Sequence, residues 1–203
     1  GAGSIDGTIP GKFWINLRTT ELHSKYSLPD LAMHEAIPGH AWQGEYANQM
    51  PLIRTMLAFN AYSEGWALYA EQLADEIGAY NGDPLGQAGY LQSLLFRAAR
   101  LVTDTGIHYK RWGRAKATQY MVDTIGNTPS RAQREVERYF SSPGQANSYK
   151  VGHTVWGKVR EEAKAKLGSK FDLKAYHDAD LLSGSMPLTV LQRHVSDWVA
   201  AQA

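Results

Sequence analysis

The sequence predicts a single, mainly α-helical domain. Most of the 203 residues fall into amphipathic stretches with apolar residues three or four positions apart, which is the period of a half-buried helix. Several stretches begin with a capping residue followed by proline, as at Asp83–Pro84 and Thr128–Pro129. No repeat, low-complexity tract or linker divides the chain, so we expect one domain over residues 1–203.

The composition is that of a globular protein. Hydrophobic residues make up 43% and charged residues 20%, and the net charge of +1 predicts neither a nucleic-acid partner nor a polybasic membrane contact. Without cysteine, a metal would have to be held by His, Asp or Glu. No apolar run is long enough to span a membrane. We expect a soluble protein, and a periplasmic or secreted one if a signal peptide preceding Gly1 has been removed.

The N-terminal region predicts a loop followed by the one convincing β-strand. Residues 4–12 are rich in Gly, Pro and Thr, whereas residues 13–17 read Phe-Trp-Ile-Asn-Leu. An exposed strand beside a metal could pair with an extended substrate, which would make Trp14 and Asn16 substrate-binding residues. A buried structural strand explains the pattern equally well.

Residues 34–40, His-Glu-Ala-Ile-Pro-Gly-His, carry the densest chemistry in the chain. Zincins place two histidines four apart on a helix, whereas a spacing of six would rotate His40 about 120° away from His34. Pro38 lacks the backbone N–H that a helix needs here, and Gly39 accepts backbone angles closed to other residues. The sequence therefore predicts a helix from Ser27 or Pro29 that is broken at Pro38. A second helix then runs from His40 to about residue 48. The bulged turn formed by Pro38 and Gly39 brings the imidazole of His40 back beside that of His34.

A single match to this pattern is weak evidence. The alternative is a solvated Glu35 beside two surface or capping histidines at a helix end.

A third metal ligand is predicted on the next helix, which should run from Pro51 to about Ile77. Glu64 lies on an apolar face of that helix, where an ionised carboxylate needs a cation or hydrogen-bond donors. It could be a metal ligand, or it could pair with Arg97 or Arg100. Gly65 beside it predicts the close approach of another backbone. The face combines Glu64 with apolar residues at helical spacing: Leu57, Ala61, Ala67 and Leu68.

The remaining sequence predicts further helices. They cover residues 84–112, 114–125, 129–141 and 142–167, followed by two short ones led by Asp172 and Pro187 and joined through Gly184. Asp104 and His108 are four apart in the first of these, so they can form a structural pair or a catalytic one.

Several separate motifs, in this order, resemble the DUF885 family of bacterial proteins, which look like gluzincin metallopeptidases. The resemblance runs from residues 13–16 to the end of the chain. Because family members are considerably longer, the chain resembles their C-terminal, site-bearing part, and an upstream segment of the same protein would complete the cleft. The motifs are residues 34–40, 63–71 (Ser-Glu-Gly-Trp-Ala-Leu-Tyr-Ala-Glu), 104–108 (Asp-Thr-Gly-Ile-His), 143–146 with Tyr149 and Lys150, and Gly184 with Pro187–Leu188.

The resemblance implies a multi-helix, zincin-like domain with a peptide substrate. His34, His40 and Glu64 would hold Zn²⁺, and Glu35 would act as the general base on water. Tyr149, and as a second candidate His108, would donate a hydrogen bond to the oxyanion.

Substrate binding is less closely defined by the sequence. Lys150 or an arginine could bind a substrate carboxylate. The sequence departs from the usual gluzincin pattern at Leu68, where an orienting acid is often found, and Glu71 could take that role. Hydrolysis of another amide or ester, and a non-catalytic helical binding module, are the alternatives.

Overall fold

A computed structural model describes residues 3–17 and 23–202. The mainly α-helical fold predicted from the sequence is confirmed, and none of the described residues belongs to a β-strand. The helices are α1 (Leu28–Glu35), α2 (His40–Ala47), α3 (Leu52–Met56), α4 (Asn60–Glu76), α5 (Pro84–His108), α6 (Arg114–Ile125), α7 (Pro129–Ser141), α8 (Gln145–Leu167), α9 (Leu173–Leu181) and α10 (Leu188–Gln202). No helix in this part of the chain is long and apolar enough to cross a membrane.

The strand predicted at residues 13–17 is wrong. A strand needs the backbone groups of a neighbour, and the described residues offer no second strand to pair with. Trp14 is 77% exposed, and its ring is approached by the Lys12 ammonium. The preceding segment is instead fastened to α2, because Gly11 N–H donates to Glu45 Oε1 over 2.6 Å.

The single helix predicted over residues 51–77 is also wrong, because the chain leaves the helical conformation between α3 and α4. Leu57 and Phe59 have extended ψ angles of 106° and 96°. The Phe59 N–H donates to the Ser185 hydroxyl, 3.2 Å away, instead of to a carbonyl of its own helix. A contact with a residue 126 positions later thus sets the start of α4.

Two other boundaries differ slightly from the prediction. Helix α5 ends at His108 and not at Trp112, because Trp112 turns back so that its N–H donates to the Gly106 carbonyl. Helix α8 begins after Gly144, whose φ of +80° lies outside the helical region.

Helices α4 and α8 form the centre of the domain and cross in backbone contact. A Cβ added to Gly65 would overlap the backbone of Gly152, and one added to Gly152 would overlap the Ala61 carbonyl. The close approach predicted at Gly65 is therefore present. It places Tyr149, one turn before Gly152, near the same level of the domain as Glu64.

Two hydrophobic cores flank this crossing. The first is rich in aromatic residues from α4, α8 and α9, with α10 packed against it, and its large buried rings are Tyr62, Trp66, Tyr69, Trp156 and Tyr176. The second lies between α5, α6, α7 and the start of α8. Helices α1 and α2 cover the remaining face of α4, and the candidate site lies beneath them.

Candidate metal centre

The break between α1 and α2 brings the two histidines of the motif together. Helix α1 ends at Glu35, the Ile37–Pro38 peptide is cis, and α2 begins at His40. Trp66 holds the loop from below, since its Nε1–H donates to the Pro38 carbonyl over 2.9 Å. At Gly39 any Cβ would overlap the His34 carbonyl, so only glycine fits this tight return.

The side chains of His34, His40 and Glu64 converge on one point. His34 Nε2 lies 3.6 Å and His40 Nε2 3.1 Å from Glu64 Oε2. The imidazole rings are edge to face with their centroids 4.9 Å apart. One ligand atom from each residue lies within 4.8 Å of the other two, as a shared ion requires.

This donor set fits a divalent metal ion such as zinc. Two imidazole nitrogens and one carboxylate oxygen are the protein ligands of a catalytic zinc site with one position open for water. Glu71 supplies the supporting contact typical of such sites, since its Oε1 accepts from His34 Nδ1 over 2.6 Å. In the neutral imidazole this bond keeps the ring proton on Nδ1, so that the lone pair of Nε2 can bind a metal.

The charges of the cluster are strongly coupled. Burial lowers the pKa of His34, but hydrogen bonds to Glu64 and Glu71 outweigh burial and raise this pKa to about 9. Burial raises the pKa of Glu64, yet the two histidines more than offset it, so the pKa of Glu64 is lowered. The pKa of Glu71 is also lowered, against burial, by its bond to His34 and by the nearby Arg97. Both glutamates are therefore ionised at neutral pH, as metal binding and ligand orientation require.

A second buried acid, Asp30, lies one turn before His34 in α1. Burial and the neighbouring Glu71 carboxylate raise the pKa of Asp30 to about 7, and the Tyr80 hydroxyl lies 3.4 Å from its Oδ1. The sequence contained a signal for this residue, because a spacing of four from His34 places both on one face of a helix.

Tyr149 lies beside the cluster. Its ring is nearly parallel to that of His34, with 6.1 Å between the centroids, and Tyr149 is buried. The guanidinium carbons of Arg97 and Arg100 lie 5.3 and 4.3 Å from the centroid of the tyrosine ring. The two arginines therefore pack on Tyr149, whereas Glu64 faces the histidines.

The other residues predicted near the site are distributed as follows. Glu35 is the last residue of α1, directly after His34, and is partly buried. Lys150 is half-buried next to Tyr149, and its ammonium lies 3.1 Å from His153 Nδ1. Burial lowers the pKa of Lys150.

The structure does not bring His108 into the cluster. His108 Nε2–H donates to the Tyr139 carbonyl over 2.9 Å, and its ring packs on Phe140. Asp104, its predicted partner, mainly accepts hydrogen bonds at the N-terminus of α8, from the Gly144 N–H and the Asn147 side-chain amide.

Two residues outside the predicted ligand set hold the site in shape. Trp66 anchors the break at Pro38, and Gly152 allows α8 to carry Tyr149 close to α4. Trp66 lies in one of the motifs that the sequence singled out, but no spacing argument connects an indole to a carbonyl 28 residues earlier.

Two cavities adjoin the cluster, one on each histidine. Next to His40 a cavity of about 180 Å³ is lined by apolar residues that include Ala47, Leu57 and Leu181. Next to His34 a larger cavity of about 260 Å³ is lined by both polar and apolar residues, mainly from α1, α5 and the α6–α7 turn.

Comparison with known proteins identifies a family, and the similar solved structures include two bacterial proteins. Residues 1–195 match the family described as "Bacterial protein of unknown function (DUF885)". The crystal structure of a "putative lipoprotein" from Colwellia psychrerythraea has 47% sequence identity and a TM-score of 0.91 over 98% of this chain. A "putative lipoprotein of unknown function" from Shewanella oneidensis has 33% identity and a TM-score of 0.79 over 84%. A search of the curated proteins gave no match.

The chain spans about a third of the length of both solved relatives, namely 34% of the Colwellia protein and 31% of the Shewanella protein.

Proposed function

The chain belongs to the DUF885 family of bacterial proteins, and we propose that it is a zinc-dependent hydrolase of peptide bonds. The observation that carries this proposal is the convergence of His34, His40 and Glu64, whose ligand atoms lie within 4.8 Å of one another. The bond between His34 and the fully buried Glu71 adds support, because a structural pair would not need a carboxylate on each ring nitrogen of one histidine.

The side chains around the cluster can divide the work of hydrolysis. Zinc held by His34, His40 and Glu64 would supply a Lewis acid and a water of lowered pKa. Glu35 would accept the proton of the attacking water and pass it to the leaving amine. The Tyr149 hydroxyl would donate a hydrogen bond to the developing oxyanion. Glu71 would keep the His34 ring in the tautomer and orientation that bind the metal.

Metal content tests the ligand set. We expect about one zinc per chain by elemental analysis, and a sharp loss in His34→Ala and Glu64→Ala. The matched control is His194→Ala, a partly exposed histidine of α10 whose Nε2 bonds to the Ala179 carbonyl. Full zinc occupancy in both ligand variants would remove these residues from the metal site.

Hydrolysis tests the chemistry. Glu35→Gln keeps the shape of the side chain but removes the base, so we expect it to bind zinc normally and to cleave a mixed peptide library at least about 10²-fold more slowly. Glu162→Gln, at an exposed position of α8, is the control. Amide and ester substrates are assayed in parallel, on the chain and on any longer protein that contains it. Equal rates for Glu35→Gln and the unmodified protein would contradict the mechanism.

A further inference from the structure

Several side chains that line the cavity beside His34 have a buried polar atom without a partner. Among the described residues, the donors Arg97 Nε, Asn127 Nδ2 and Ser93 Oγ have no acceptor, and Glu71 Oε2 has no donor. Arg131 also lines this cavity. An unpaired buried donor is costly, so unpartnered donors on the side chains of one cavity favour a ligand that brings acceptor oxygens.

The Arg97 guanidinium is held in a fixed orientation. Its central carbon lies 5.2 Å from the Phe96 ring centroid and 5.3 Å from that of Tyr149. A guanidinium packed against aromatic rings keeps its N–H edge available, and that edge matches a carboxylate in two parallel hydrogen bonds.

The charges around the cavity favour an anion. Arg97 and Arg131 contribute two permanent positive charges to the lining. Its two acids already have partners, since Glu71 Oε1 is bonded to His34 Nδ1 and the Tyr80 hydroxyl lies 3.4 Å from Asp30 Oδ1. The volume of about 260 Å³ is below the range of whole drug-sized ligands, about 300–1,000 Å³, and suits one terminal residue.

We infer that this cavity binds the carboxylate of a substrate, with Arg97, Asn127 and Arg131 as the donors. The inference rests on the proposed function, because His34 lines the cavity and would place the bound carboxylate next to the metal ligands. A peptide then places its C-terminal carboxylate, or an acidic side chain, in the cavity beside His34. The rest of the peptide lies in the apolar cavity next to His40.

The test is calorimetric titration of the Glu35→Gln protein, in which turnover is prevented. Three probes are compared: trialanine, trialanine amide, and an N-acetylated, C-amidated Ala-Asp-Ala peptide. A charge-assisted hydrogen bond contributes about 1.5–3 kcal/mol, so trialanine should bind at least about tenfold more tightly than its amide. Comparable binding of the aspartyl peptide, with the same arginine dependence, would identify an acidic side chain as the source of the carboxylate.

The arginine variants decide the assignment. Arg97→Gln and Arg131→Gln should each abolish the preference, whereas Arg134→Gln, at an exposed position one turn further along α7, should keep it. Arg131 is exposed, so its variant remains informative even if Arg97→Gln lowers the melting temperature. Equal affinity for acid and amide, or a preference unchanged in both cavity variants, overturns the inference.

Zinc content and hydrolysis are measured on the same proteins to separate the two proposals. Zinc-dependent cleavage without carboxylate preference would overturn the cavity assignment alone. Arginine-dependent carboxylate binding without zinc would overturn the hydrolase alone.

Discussion

The two faces of helix α4 solve the problem of burial in different ways. Tyr62, Trp66 and Tyr69 lie on one face, and Glu64 and Glu71 lie about 160–200° away around the axis. Both faces are nearly closed to water, and Trp66 and Glu71 both have an exposure of 0%. The aromatic face gains free energy from any close-packed neighbour, whereas each carboxylate of the acidic face needs a defined hydrogen-bond donor.

The two faces of α4 also differ in their contacts with neighbouring helices. The aromatic face packs on α8, α9 and α10, and the rings touch at varied angles, as Trp66 and Trp156 do at 66°. The acidic face meets His34 and His40 at hydrogen-bond distances. The first face therefore contributes apolar burial to the stability of the domain, and the second carries the carboxylates of the proposed metal site.

The largest expected effect lies on the aromatic face. Trp156→Ala removes a fully buried indole that packs on Tyr62, Trp66 and Tyr69, and we expect it to lower the free energy of unfolding by about 3–5 kcal/mol. The folded fraction should keep its zinc stoichiometry, because no metal ligand is touched. Urea unfolding with zinc analysis checks both, and a loss of zinc from folded protein would show that the two faces are not independent.

The next prediction concerns a buried acid on the aromatic side. Burial raises the pKa of Asp180 to about 8 and outweighs the opposing effect of the neighbouring Tyr176 hydroxyl. The unfolded chain loses this proton near pH 4, whereas the folded protein keeps it until about pH 8. The free energy of unfolding should therefore fall as the pH rises between these values, by about 1.4 kcal/mol per pH unit.

Asp180→Asn should not show this contribution. Urea unfolding of both proteins from pH 4 to 9 should give a difference that grows with pH in favour of the variant. His153 and His177, whose pKa values burial lowers to about 4, titrate alike in both proteins and cancel. Parallel stability curves would mean that Asp180 is ionised in the folded state.

The acidic face is tested at Glu71. Glu71→Gln keeps a hydrogen-bonding side chain but removes the charge that orients His34, so zinc affinity should fall about 10–100-fold. Competition with a chelator of known affinity measures this change. Glu76→Gln, on the same helix but paired with the Arg160 guanidinium, is the matched control and should bind zinc normally. Unchanged affinity in Glu71→Gln would mean that the buried contact has no role in the metal site.

The smallest effect is expected from a pair of glycines. Gly39→Ala forces a Cβ into the His34 carbonyl and should cost about 1–3 kcal/mol, with weaker zinc binding. Gly157→Ala, in α8 where an added Cβ meets nothing within 4 Å, should stabilise the protein by about 0.5–1 kcal/mol. Thermal unfolding compares them, and equal shifts in the two variants would show that the loop relaxes around the new methyl group.

The sequence was most informative where local chemistry sets the structure. Proline and capping residues located the starts of α5, α7, α9 and α10, and Asp172 does accept from the Ala175 N–H at the start of α9. The Pro38–Gly39 break likewise predicted that His40 would return to His34, because both residues act on their own backbone.

Prediction failed where the local structure depends on residues that are distant in the sequence. The separation of α3 from α4 depends on Ser185, and no pattern in residues 51–77 contains that information. The strand at residues 13–17 followed from β-propensity, which has no effect without a partner strand. The cavity beside His34 combines Asp30, Arg97 and Asn127, which only the packing of α1, α5 and the α6–α7 turn brings together.

The glycine crossing of α4 and α8 also constrains how the chain can change in length. Tyr149 lies three residues before Gly152, so inserting one residue between them would turn the phenol by about 100° around α8 and away from His34. The same insertion in the turn at residues 126–128 leaves the crossing undisturbed. Insertions and deletions compatible with function should therefore occur in the turns of this domain and be excluded between positions 149 and 152, where the register of α8 sets the position of Tyr149.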